Sequence, residues 1–275
     1  MKKMLTITLL IVLPLLTAFT WFQFFGNKER LLKISDYKIF YGSPTENILE
    51  EMRKFDMVII ETHEYTSEQI KTIQQDGTIV LGYLSVMELE TWNEGLVKKV
   101  EESDYLFVDK KKKYIQEWDT YLMDLSSKHY QELLLTDARN HILSKDVDGI
   151  FIDTAGDIDD YFYKDEQTKQ KLRDGYLQLL TALKQQDPEI LILQNWGFDT
   201  YKTTTKNLVN GIMWENFDIS RLENSEWGQN WIEFFKKEQK LAVFTVAPDE
   251  KSRQYSKKQG FIPYQNNSSI YNEWE

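Results

Sequence analysis

Eight short apolar runs rich in β-branched residues recur along the chain, at 38–41, 57–61, 79–84, 149–153, 190–195, 212–215, 242–246 and 261–265. Strands this apolar are covered on both faces, which suits a parallel sheet packed under helices rather than a sheet with one wet side. The segments between them place apolar residues three and four apart and read as helices, among them 47–54, 67–75, 128–143, 167–185 and 225–238. Eight strand-helix units of this length fit one α/β domain, a (β/α)8 TIM barrel. No Gly-x-Gly-x-x-Gly follows the first run, so a dinucleotide-binding open sheet is not indicated. The third and fourth runs lie about 65 residues apart, more than one crossing helix needs, so the barrel is expected to carry an insertion there that holds 105–108, 110–113 and 121–125. The lysine run 110–113 reads as a solvated turn.

Ahead of the barrel, Lys2 and Lys3 precede an uncharged stretch from 4 to 27, long enough to cross a bilayer as an apolar helix with the rest of the chain outside. The one small-residue cleavage position is near Ala18, with bulky Leu16 two places earlier, which favours an uncleaved anchor over a signal peptide. Residues 1–30 are therefore read as anchor or signal with a short linker, and 31–275 as the barrel. The absence of cysteine excludes disulfides, thiolate nucleophiles and lipidated cysteine. The chain carries −11, of which residues 1–30 contribute +3, so the barrel is strongly acidic. That balance argues against nucleic acid as a partner; it fits ordinary solubility first, with attraction of a cationic polymer as the sharper alternative.

Active sites of such barrels lie at the C-terminal strand ends, so polar residues that close an apolar run are the ones to collect. They are Glu61 and His63, Ser85, Glu88 and Glu90, Asp153, Asn195 and Trp196, Trp214, Glu215 and Asn216, Thr245, and Tyr264, Gln265 and Asn266. One acid after a strand is often a helix cap, because the helix N-terminus is electropositive. Asp153 and Glu215, ending the fourth and sixth runs, together form the kind of carboxylate pair that glycosidic cleavage needs. Trp92, Trp118, Trp196, Trp214, Trp227 and Tyr264 lie in or after expected loops, where rings can stack on sugars or pack in the core, Trp196 at a strand end being the best placed for sugar, and Asn195, Gln265 and Asn266 offer amides to hydroxyls or cap loops. Of three histidines, His129 and His141 fall within an expected helix, so no multi-histidine metal site is expected, and His63 reads as a loop contact to substrate. No nucleophile elbow, phosphate loop or strand-end lysine is present, and the reading calls for no metal or organic cofactor.

The run of motifs resembles the glycoside hydrolase family 114-like barrels, which include endo-α-1,4-polygalactosaminidases and a related bacterial branch. The resemblance spans roughly residues 37–270 and rests on the stretches 82–90, 123–125 with the helix that follows, 148–153, 194–195, 214–216 and 260–264, in that order. It implies that Asp153 and Glu215 are the catalytic carboxylates and that Glu88, Asp124 and Asn195 line the cleft. The implied activity is hydrolysis of an α-linked galactosamine-containing exopolysaccharide or wall polymer. A glycan-binding barrel without catalysis and a transglycosylase of polymer export are the alternatives. Met87 where glycine is expected, a first strand without tryptophan and glutamine, and a seventh strand ending at Phe244, Thr245 and Val246 without a carboxylate depart from the pattern, and bear on the sugar more than on the reaction. Asp153, short and held near its strand, suits the nucleophile. Glu215, beside Trp214 and Phe217, suits a general acid whose pKa is raised by apolar neighbours, giving retention of configuration.

Overall fold

The computed structural model describes residues 29–274 apart from Asp109 and Ser269. The apolar stretch 4–27, and with it the expected anchor, lies outside the described residues. Among the described residues no helix is long and apolar enough to cross a membrane.

Eight parallel strands form one sheet in sequential order: β1 (Tyr37–Phe40), β2 (Met57–Ile60), β3 (Ile79–Ser85), β4 (Gly149–Asp153), β5 (Leu191–Asn195), β6 (Gly211–Trp214), β7 (Ala242–Ala247) and β8 (Ile262–Gln265). Each boundary falls within one residue of the apolar run that marks it. Between β1 and β8 the seam is packed by Tyr37, whose ring meets Phe244 at 5.2 Å and Tyr264 at 5.6 Å and whose hydroxyl donates to the Thr245 carbonyl at 2.9 Å. The expected (β/α)8 architecture is thus present, nearly closed.

Successive strand residues point to opposite faces, and the two faces make two cores. Ile39, Ile59, Leu81, Phe151, Leu193, Met213 and Phe244 fill the barrel interior, with Leu31 from the preceding turn also buried among them. Their neighbours Val58, Val80, Ile150, Ile152, Ile192, Ile212 and Trp214 pack outward under the helices. Crowding at the N-terminal end explains Gly149: a Cβ there would come within 2.5 Å of Leu81 and 2.7 Å of Leu191.

The insertion between β3 and β4 is a small antiparallel sheet in which Glu88–Glu90 pairs with Thr120–Leu122 and that strand with Tyr114–Ile115. The lysine run is not simply a turn. Lys111–Lys112 pairs with Phe107–Val108, and Lys112 sits 3.7 Å over the Tyr105 ring while its ammonium meets Glu102 at 2.6 Å. The helix expected over 128–143 is α-helical for Lys128–Asp137 and continues as a π turn, Ala138–Ile142.

Candidate active site

The alternation that fills the barrel also builds its mouth. Phe151, Leu193 and Met213 point inward, so the next inward positions on the same chains, Asp153, Asn195 and Glu215, emerge at the C-terminal rim. Each is followed by a residue in left-handed backbone: Thr154 at φ 62°, Trp196 at 52° and Asn216 at 53°. Left-handed conformation in a non-glycine residue costs about 1–3 kcal/mol and persists only where the surroundings hold it. Thr154, β-branched and the least suited, is held by its hydroxyl, which accepts from the amides of Val86 at 3.1 Å and Met87 at 2.8 Å, while its own amide donates to Asp153 Oδ1 at 2.8 Å. One strained residue thereby fixes both the nearby carboxylate and the start of the insertion.

Asn195 sits between the two acids. Its Nδ2 donates to Asp153 Oδ1 and to Glu215 Oε2, each at 2.8 Å. Those two oxygens therefore lie no farther apart than twice 2.8 Å, or ~5.6 Å, an arrangement compatible with the ~5–5.5 Å between carboxyl groups of retaining glycosidases. The Tyr271 hydroxyl donates to the other Glu215 oxygen, Oε1, at 2.7 Å. The pKa of Glu215 is raised, chiefly by burial and then by the charge of Asp153, against the hydrogen bonds from Asn195 and Tyr271 that favour its ionised form.

The cleft around this pair has a volume of about 720 Å³ and is lined by eight acids, Glu61, Glu64, Glu88, Glu90, Asp153, Asp157, Asp160 and Glu215, with no lysine or arginine among the described residues. Burial pushes Glu61 up to about 7 and Glu90 up to about 8. Glu88 and Asp157 face one another, and both are raised by burial and by the neighbouring carboxylates. Trp92 and Trp118, each 57% exposed, stand on the insertion at the edge of the cleft, and Trp196, Tyr41, Tyr83 and Tyr271 line its inner wall.

Of the expected site residues, Asp153, Glu215, Glu88, Asn195, Trp196 and His63 come together in this cleft. Four do not. Trp214 is 1% exposed and points outward, edge-on to Phe198 and Phe217, since it neighbours the inward Met213 and must face the other way. Tyr264 is on the inner face but packs against Tyr37, below the lining of the cleft. Gln265 is exposed outside the cleft. Asp124 organises a turn, accepting from the Ser126 amide at 3.0 Å and pairing with Lys171 at 3.1 Å. Trp227 lies on a helix, Glu226–Lys237, where it stacks on Trp196 at 6.3 Å. Among the lining residues that sequence reasoning missed are Tyr41, Glu64, Tyr83, Asp157, Asp160 and Tyr271. Asp157 follows Asp153 by one helical turn, a spacing that could have drawn attention to it, whereas Tyr271 reaches the site from a tail with no local signal.

The family model of hypothetical glycosyl hydrolase family 15 matches residues 85–267, well over half of the chain. No curated protein sequence matches. Among solved structures, the glycoside hydrolase domain of PelA from Pseudomonas aeruginosa superposes with a TM-score of 0.69 at 18% identity, covering 87% of this chain and 97% of that one. Aspergillus fumigatus Ega3, solved in complex with galactosamine, superposes at 0.62 with 14% identity, covering 86% and 92%. A cycloisomaltooligosaccharide glucanotransferase from Paenibacillus sp. shares the barrel at 0.58 and 12% identity, over 77% of this chain and 38% of that one. At these identities the structures establish a common fold, and together with the family match they bear out the resemblance carried by the motifs. The matched segment runs from the end of β3 to just past β8 and contains Asp153, Asn195 and Glu215: the chain belongs to hypothetical glycosyl hydrolase family 15.

Proposed function

We propose that the protein hydrolyses an α-linked polymer containing galactosamine with free amino groups, by a retaining mechanism in which Asp153 is the nucleophile and Glu215 the acid/base. The observation that carries this reading is the single Asn195 amide bonded to both carboxylates, because it keeps their nearest oxygens within ~5.6 Å, which favours direct covalent catalysis over the wider gap that an intervening water needs. Asp153 attacks the anomeric carbon while Glu215 passes its proton to the departing glycosidic oxygen. Water then attacks the glycosyl-enzyme ester, Glu215 takes the water's proton, and Asp153 leaves as carboxylate. The raised pKa of Glu215 supports the acid role. A cleft lined by eight acids, with no lysine or arginine among the described residues, supports a cationic sugar, and the galactosamine complex of the Aspergillus barrel supports that sugar class. A barrel that only binds glycan has no need of so close a carboxylate pair. The proposed place of action is outside the cell, on the reading of Lys2, Lys3 and the apolar stretch after them.

The test is incubation with a panel of galactosamine polymers, following reducing ends and, by NMR, the configuration of the first products. Retained anomers are expected, with Asp153→Asn and Glu215→Gln each losing several orders of magnitude in turnover while melting normally. Inverted first products would overturn the assignment.

A further inference from the structure

Although His141 is expected to stand apart on its helix, its ring lies against that of His63, centroids 4.2 Å apart and planes at 23°. His63 belongs to the short turn Thr62–Glu64 that follows β2, and His141 to the π turn Ala138–Ile142. One helical turn before His141, Asp137 presents both carboxylate oxygens to the pair: Oδ2 is 4.0 Å from His63 Nε2 and Oδ1 is 3.8 Å from His141 Nε2. These distances exceed a hydrogen bond. Three polar groups thus converge without bonding one another, and their ligating atoms all lie within 4.8 Å.

We propose that His63, Asp137 and His141 bind a zinc-class divalent transition-metal ion at the rim of the cleft. Two imidazoles and a carboxylate are a donor set such ions favour, with the remaining positions taken by water. Ligation at ~2.0–2.2 Å in a tetrahedral arrangement sets donor separations near ~3.4 Å, so the Asp137 contacts at 4.0 and 3.8 Å close by about half an ångström, and the two imidazole nitrogens, within 4.8 Å of each other, close by up to ~1.4 Å as their stacked rings tilt to converge on the ion. The turn that carries His63 is held in place beforehand. The Glu61 carboxylate accepts from the His63 amide at 3.0 Å, and the Lys145 ammonium donates to the carbonyls of Thr62 and Tyr65. Lys145 is thereby committed to backbone oxygens, while Glu64 and Asp137 set two carboxylates against its charge beside His63. A π turn in place of regular α-helix is a feature found often at functional sites. The bound ion ties the β2 turn, whose His63 lines the cleft, to the helix behind it.

The test uses the full chain stripped with chelator and then titrated with zinc chloride by calorimetry, and in parallel with cobalt chloride by visible absorption. One ion per chain is expected at micromolar affinity, with cobalt bands of nitrogen ligation and a melting temperature raised by a few degrees. His141→Gln, at a half-exposed position outside the catalytic pair, and Asp137→Asn should each weaken binding at least tenfold. Melts without metal check that both variants fold. Adventitious binding by the acidic cleft would survive His141→Gln unchanged. That outcome, or no stoichiometric binding by the wild type, overturns the proposal.

Discussion

Removing the amide that joins the two carboxylates, by Asn195→Ala, is the most direct challenge to the proposed chemistry. Asn195 is 4% exposed and its Nδ2 makes two hydrogen bonds to acids. Bonds to charged groups contribute about 1.5–3 kcal/mol each. The lower end applies in a cleft open to water, which gives about 3 kcal/mol for the two, or roughly a hundredfold in kcat/KM. The loss has a direction in pH as well. The Asn195 bond favours ionised Glu215, so its removal raises a pKa that burial and Asp153 already raise. In the proposed mechanism Glu215 enters the first step as a protonated acid, so the alkaline limb of the pH-rate profile should move to higher pH. The assay is initial rate of reducing-end release across pH on a galactosamine polymer, with circular dichroism melts to check folding. A variant that retains kcat/KM within about threefold of wild type, or whose alkaline limb moves downward, would refute the reasoning.

Glu61 and Glu90 hold their protons in the folded state to about pH 7 and about pH 8, against ordinary glutamate values when unfolded. Stability from this source is complete below about pH 4.5 and is lost as pH rises through those values, because the folded state binds the extra protons. The melting temperature should therefore fall between pH 5.5 and 8. Glu61→Gln and Glu90→Gln should each recover about 1–2 kcal/mol at pH 8 after discounting for partial exposure, and an unchanged slope in both variants rejects the assignment. De-N-acetylated polymer should be cleaved in preference to fully acetylated polymer, with the preference shrinking as salt screens the acidic cleft; equal rates at low salt count against a cationic substrate. The full-length protein should resist extraction from membranes by alkaline carbonate, and its release, or a form truncated near Ala18 in the medium, rejects the anchor.

The architecture was legible because each barrel strand is locally encoded. Runs such as 149–153 and 242–246 are apolar on both faces, and that pattern persists whatever the rest of the chain does. The same local logic reached Asp153, Asn195 and Glu215, since inward parity carried one position past Phe151, Leu193 and Met213 arrives at the rim. It was misapplied at Trp214, which cannot share a face with Glu215 beside it. What the chain could not announce is where separate segments meet. Tyr271 bonds to Glu215 across 56 residues. The seam tyrosine Tyr37 reaches Tyr264, leaving that ring in the packing rather than at the mouth. His63 and His141, placed apart by their neighbours in sequence, stack face to face. Periodicity records which side of its own element a residue occupies, and so determined the barrel and the residues of its rim. The distances between side chains on different elements depend on how those elements pack, and only the tertiary structure decided them.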